Sequence, residues 1–222
     1  MADREQAKTK LRQAIAANLP DGTYDDAGYA AVNAAIAELL PFNPTPRPID
    51  EQGFVAAPWR SLYAAFGTRH TAGKPIKHIS SLKLQSFSKF PDVPISVQQI
   101  EQEIRVEDRH YNNVSAITTP DGSMAGTIIV WGDYDLKPEA PQRYDVKFYA
   151  VELRPPEGIS DAAFRAAYGL PEDAPLRIEM KPPRLHSDIV YCDDDMRINF
   201  GGMGGVYVLE RLHTPGKSVS FA

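Results

Sequence analysis

Between residues 96 and 153 the chain repeatedly alternates apolar and polar side chains, and this period of two limits its fold more than any other feature. Ile100, Gln102, Ile104 and Val106 alternate with Glu101, Glu103 and Arg105. Tyr144, Val146, Phe148 and Ala150 alternate with Asp145, Lys147, Tyr149 and Val151. Successive side chains of a strand point to opposite faces, so each run predicts a half-buried strand. The run 127–136 (TIIVWGDYDL) is apolar on both parities over its first half, which predicts one face in a core and the other under helices. Pro120-Asp121-Gly122 is a turn signal between two such runs. The predicted strands are 57–66, 79–88, 96–106, 111–118, 123–136, 143–153, 185–199 and 204–212. Eight successive strands with mostly short links make a meandering antiparallel sheet. Such a sheet exposes edges unless it closes, and closure at eight strands leaves an interior for side chains or one small ligand. The fold class is therefore mainly β (α+β), an eight-stranded antiparallel barrel.

Helices enter at two places. Residues 1–40 carry 11 Ala. Leu11, Ile15 and Leu19 recur every four residues until Pro20-Asp21-Gly22; Tyr29, Val32, Ile36, Leu39 and Leu40 form one stripe of a second helix, started by Thr23 or Asp25 and ended at Pro41. An apolar stripe has to lie against something, and the rest of the chain is the simplest partner. Residues 1–48 thus read as a helical hairpin and proline-rich connector (Pro44, Pro46, Pro48) belonging to the same domain as the barrel of 49–222. The excursion 154–184 holds a short helix over 160–168, with Ser160 as its N-cap, and is a candidate lid over the barrel mouth.

Composition and motifs exclude more than they assign. A net charge of -5 argues against nucleic-acid binding, which needs a clustered Lys/Arg excess. It also weighs against anionic lipid surfaces. No apolar run approaches the ~20 residues of a membrane helix, and the first 20 residues lack the apolar core of a leader. The expected location is cytoplasmic, or peripheral to a membrane. The single Cys192 excludes internal disulfides and multi-Cys zinc sites; as a strand residue it reads as a buried structural thiol. His70, His78, His110, His186 and His213 show no ligand spacing, and His70 and His78 read as surface residues near strand ends. No metal and no cofactor is expected. The glycine-rich 201–205 joins two strand-like runs, which suits a hairpin turn with a bulge rather than a phosphate cradle. Asp193, Asp195 and Arg197 share a parity and read as a solvated strip of exposed ion pairs.

The aromatic residues are more informative. Tyr134, Tyr144, Phe148 and Tyr207 fall on the parity assigned to the interior, beside Leu84, Ile104 and Val130. They either fill a hydrophobic core or line an apolar cavity with tyrosine hydroxyls as its polar anchors. Sequence leaves both open.

Tyr191-Cys192-Asp193-Asp194-Asp195-Met196-Arg197-Ile198, followed by the glycine turn and a strand from Gly205 to Arg211, resembles the plastid lipid-associated protein (PAP)/fibrillin family. Ile36 through Pro48 (IAELLPFNPTPRP), Trp59-Arg60-Ser61-Leu62-Tyr63 and Leu84-Gln85-Ser86-Phe87 are similar to its earlier motifs in order and spacing, over roughly residues 30–212. The motif positions carried over are Tyr191, Asp193, Arg197 and Gly205. The departures are Ala57 for a glycine, Cys192 and Met196 for leucines, and Phe200 for a basic residue. With no transit segment evident, a bacterial or cytosolic member is expected. The resemblance implies a lipocalin-like barrel that binds or organises carotenoids, quinones, fatty acids or membrane lipids. It also implies that Arg211 covers Trp59 and closes one end of the barrel, a structural role.

Three functions follow as expectations. The first is binding of a small lipophilic ligand. The second is a structural or interaction protein with a filled barrel, meeting a membrane surface or protein partner. The third is a cyclase- or isomerase-type enzyme, which would need an inward carboxylate such as Glu103 or Glu152. No catalytic residue is assigned.

Overall fold

The computed structural model describes residues 2–17, 25–66, 79, 82–181 and 184–212. Helices α1 (Ala2–Ala16) and α2 (Asp26–Leu39) come first. The side chain of Asp25 caps α2 by accepting from the Gly28 N–H at 2.7 Å. Leu40–Phe42 and Pro48–Glu51 are single 3₁₀ turns, and α3 (Gln52–Val55) leads into β1 (Pro58–Ala65). Then follow β2 (Ser96–Arg105), β3 (His110–Thr118), β4 (Ala125–Leu136) and β5 (Arg143–Arg154). After α4 (Asp161–Ala167) come β6 (Arg177–Glu179), β7 (Arg184–Cys192), β8 (Met196–Gly201) and β9 (Val206–Arg211).

Every strand pairing is antiparallel. The order β4-β3-β2-β1-β9-β8-β7-β5 is closed by a β4–β5 pairing, and β6 adds a ninth strand along the far half of β5. This is the closed eight-stranded barrel with N-terminal helices that the period-two pattern predicts. Two predicted strands need correction, and they compensate in the count. Leu84 lies in a 3₁₀ turn, Leu84–Ser86, rather than in a strand over 79–88; the only strand-like pairing there among the described residues is a single bridge from Lys83 to Pro94. The run 185–199 is two strands, because Asp193, Asp194 and Asp195 form the hairpin between β7 and β8. The Asp193 carboxylate accepts the backbone N–H groups of Asp195 and Met196 there, which favours a turn over a continuous strand.

Three apolar clusters hold the molecule. In the first, α1 and α2 bury Leu11, Ile15, Val32, Ile36 and Leu39 against the outer face of the barrel at Tyr63, Tyr191, Ile198, Val206 and Val208. The helical hairpin is thus docked on β1, β7, β8 and β9. No β4 residue belongs to this cluster; Ile128 on the inner face of β4 meets α4, and Ile129 on the opposite face is also wholly buried. The second cluster fills the barrel around Trp59. In the third, the inner face of β2–β5 beyond the closed ring packs on Phe164 and Tyr168 of the 154–184 excursion and on Leu84 and Phe90. Gly126 lets the Phe164 ring approach, since a Cβ there would stand 2.8 Å from it. Leu19, His70, His78, His213 and the turn Pro20-Asp21-Gly22 lie outside the described residues. No described helix is long and apolar enough to cross a membrane.

Candidate functional site in the barrel interior

Paired residues of neighbouring strands share a face, so the register identifies what points inward. The set begins with Trp59, which pairs with Gln102 and with Arg211. Gln102 pairs with Asn113 and Ile104 with Tyr111. Tyr144 pairs with Ser187, and Asn199 with Ile189 and Tyr207. Arg197, opposite Cys192 and Leu209, is on the same inward face.

The Trp59 end is closed. Trp59 is wholly buried and donates its indole N–H to the Val55 carbonyl at 2.9 Å. The Arg211 guanidinium lies 4.3 Å from its ring centroid and that of Arg197 4.8 Å. Arg211 also donates to the Phe54 carbonyl at 2.8 Å, so the Pro48–Val55 segment is stitched over this end. Tyr134 and Tyr144 pack at 5.0 Å between ring centroids with their planes tilted by 50°; their hydroxyls reach Gln52 and the Pro48 carbonyl. Ile104 and Cys192 pack with them. Burial pushes the Cys192 thiol up to about 11.

The middle of the barrel is polar. Gln102 Oε1 accepts from Arg197 Nη2 at 2.5 Å, Tyr111 Oη at 3.0 Å and Asn199 Nδ2 at 3.4 Å. Asn199 Nδ2 also donates to Ser187 Oγ at 2.9 Å. Arg197 has no exposed surface, and burial lowers its pKa. This network was not expected from the sequence. Parity alone places Arg197 in a solvated strip; it is instead the most deeply buried cation of the chain among the described residues. Asp193 departs from that strip too. It is 3% exposed, accepts from Lys8 Nζ at 2.9 Å and from Tyr191 Oη at 2.5 Å, and so fastens α1 to the β7–β8 hairpin. The signal that could have revealed the network is parity: Gln102 shares a face with Ile100 and Ile104, and Arg197 with Asn199.

Beyond the network the barrel holds a partly open cavity of about 80 Å³. Gln102, Tyr111 and Ser187 form its floor; Val146, Phe148, Leu185 and Tyr207 wall it, and the exposed Met203 stands at its edge. Burial pushes the Tyr207 phenol up to about 12. The glycine turn rims the cavity at Gly201, Gly202 and Gly205, and Gly204 has φ +83°. A Cβ at Gly205 would sit 2.6 Å from Tyr207 Oη, so this glycine makes room for the cavity's tyrosine. Of the predicted interior residues, Phe148 and Tyr207 line the cavity; Ile104, Tyr134 and Tyr144 belong to the packed Trp59 end; Leu84 and Val130 belong to the cluster under α4.

Glu103 and Glu152 both alternate with inward residues and sit on the outer face; Glu152 accepts from Trp131 Nε1 and Arg177 Nη1 there. No described inward strand position carries a carboxylate, and no described His, Cys, Asp or Glu cluster could hold a metal ion.

A closed antiparallel barrel with a helical hairpin outside, a Trp-Arg closure at one end and a small interior cavity at the other defines a lipocalin-like protein. The PAP_fibrillin family model matches residues 5–210, nearly the whole chain, and the chain belongs to that family. No curated protein and no solved structure matches it. Family membership does not bear out the expectation of a bacterial member, since it carries no organism with it.

Proposed function

We propose that the protein binds a small lipophilic molecule in the barrel interior, with Phe148, Tyr207, Val146 and Leu185 as apolar walls and the Gln102–Tyr111–Ser187 floor as its polar anchor. The cavity carries this reading, because it combines apolar walls with a few convergent polar groups in the way small-molecule sites do. PAP/fibrillin membership is consistent with association with lipids. Affinity comes from apolar burial at about 25 cal/mol per Å². Ile104, Tyr134, Tyr144, Leu84 and Val130 serve this site from a distance, by keeping both flanks of the cavity rigid.

A second reading, a filled barrel acting through its surface, is favoured by the tight packing of the Trp59 end and of the cluster under α4. Native mass spectrometry of protein purified from its own host, with organic extraction, separates the two. A stoichiometric lipophile is expected, and Leu185→Trp, which fills the cavity, should lose it while melting normally. A clean apo mass that persists after incubation with carotenoid, quinone and fatty-acid mixtures would sink the binding reading.

A further inference from the structure

The buried cations of this chain are satisfied unequally. Lys8 faces two carboxylates, Asp193 and Asp195. Arg211 donates to the backbone carbonyls of Phe54 and Asp194. Arg197 is buried without remainder, yet no described carboxylate lies within ion-pair range of it. One hydrogen bond to a neutral amide oxygen and the Trp59 ring face are its contacts, and its Nε and Nη1 have no hydrogen-bond partner among the described residues. A guanidinium stays protonated in proteins. A full charge is therefore kept in the interior with no described carboxylate in ion-pair range, an arrangement with a large desolvation cost that burial normally permits only with a partner.

The surrounding donors point to what is missing. Arg197, Tyr111 and Asn199 all converge on Gln102 Oε1. Asn199 Nδ2 and Tyr111 Oη also have Ser187 Oγ as an acceptor, at 2.9 and 3.1 Å, whereas the guanidinium of Arg197 has the Gln102 oxygen alone among the described residues. A carboxylate would offer it about four acceptor sites in place of one amide oxygen. Gln102 also lines the cavity, so one side chain touches both the open space and the guanidinium. Apolar wall begins directly above it at Phe148, Leu185 and Tyr207.

Building on the lipophile-binding reading, we propose that Arg197 is a head-group site: the ligand is a lipid-like carboxylic acid whose carboxylate displaces the Gln102 side chain and takes the donors of Arg197, Tyr111 and Asn199. The acyl or isoprenoid chain runs between Phe148 and Tyr207 and leaves past Met203. The charge count selects a carboxylate over a phosphate monoester. One guanidinium neutralises one negative charge, whereas a dianion would leave a second charge inside with Lys8 and Arg211 already engaged. The cavity's size agrees with a carboxylate head group, since about 80 Å³ is small and partly open, leaving the chain to run toward the rim.

The test compares palmitic acid, palmityl alcohol, methyl palmitate and hexadecyl phosphate on the full chain, by calorimetric titration. The acid should bind at least about tenfold more tightly than the alcohol or the ester, because only it makes charge-assisted hydrogen bonds. Arg197→Met should bring the acid to within about twofold of the alcohol. It should fold, because a buried unpaired charge is replaced by an apolar side chain of similar reach. As a readout that needs no variant, carboxyl-¹³C palmitate bound to the wild-type protein should titrate at least about one unit below the free acid under the same conditions, held ionised by the guanidinium. Equal binding of acid, alcohol and ester would overturn the head-group assignment and leave lipophile binding standing. So would an unshifted ¹³C titration, or an acid preference that survives in Arg197→Met. Hexadecyl phosphate binding as tightly as the acid would overturn the choice of a carboxylate. If none of the four binds, the lipophile reading itself fails and this assignment goes with it.

Discussion

Replacing Lys8 by alanine tests how α1 is held to the barrel. Lys8 is 3% exposed and its ammonium contacts two carboxylates on the β7–β8 hairpin, Asp193 at 2.9 Å and Asp195. Burial alone pulls the Lys8 pKa down, but the hydrogen bonds to Asp195 and Asp193 outweigh it and leave the value raised. The charged pair is thus a net gain in the folded state. Removing one partner of a buried pair costs about 3–5 kcal/mol when the other is stranded. Asp193 is not wholly stranded: Tyr191 Oη at 2.5 Å and the N–H groups of Asp195 and Met196 at 3.1 and 2.9 Å still donate to it. Those donors bring the expected loss down to about 2–3 kcal/mol. For a chain of this size that corresponds to about 4–12 °C in Tm. Urea and thermal unfolding of Lys8→Ala, Asp193→Asn and the double variant measure it, with a coupling energy of about 1–2 kcal/mol expected from the cycle. A loss below about 0.5 kcal/mol, or strictly additive single effects, would show that the hairpin docks through its apolar stripe alone.

Other expectations follow from the same geometry. Trp59→Ala should cost about 3–5 kcal/mol in unfolding free energy, because it opens a large void and removes the ring that faces Arg197 and Arg211; lost ligand binding with an unchanged Tm would refute the closure role. Cys192 should resist thiol reagents at pH 8 until urea unfolds the barrel, since burial raises its pKa to about 11 and it has no exposed surface; rapid labelling of the native protein would contradict this packing. Burial pushes the Asp195 carboxyl up, but hydrogen bonds from Lys8 and Arg12 hold it well below the usual carboxylate range. With its folded value depressed, its contribution to stability is complete above about pH 5 and is lost as pH falls through that depressed value. Asp195→Asn should therefore flatten the acid side of the stability profile, and parallel profiles for variant and wild type would count against the latch.

Much of the architecture was legible because strands and helices write their buried faces with different periods. The alternation from Ile100 to Val106 and from Tyr144 to Ala150 announces strands whichever neighbours they meet. Eight strands with short links then have few ways to hide their edges other than closing. The four-residue spacing of Leu11 and Ile15, and the stripe Val32, Ile36, Leu39, likewise required an apolar surface to receive the hairpin. The motif residues from Tyr191 to Arg211, together with the earlier motifs at 36–48, 59–63 and 84–87, carry the family resemblance. The two strand errors arose where local pattern is silent. Three adjacent aspartates read equally as strand or turn until Asp193 finds the backbone N–H groups of its own hairpin and the ammonium of a lysine 185 residues away. Leu84 is as apolar in a 3₁₀ turn as in a strand.

What only the tertiary structure decided is the interior. Polar side chains on an inward face look like solvated residues in one strand, because a sequence shows a residue's parity but not what stands opposite it. Gln102, Tyr111, Ser187, Arg197 and Asn199 come from four strands, and their network exists only once β2, β3, β7 and β8 close into one ring. The division of the predicted tyrosines has the same origin. Tyr207 faces open space while Tyr134 and Tyr144 are packed edge-tilted and capped by the Pro48–Val55 segment, a difference made by register and by which chain segment covers each end of the barrel. Amino-acid order determines that this chain closes a barrel with an apolar inside. The closure itself determines where that inside stays empty, and where it keeps a charge without a partner among the described residues.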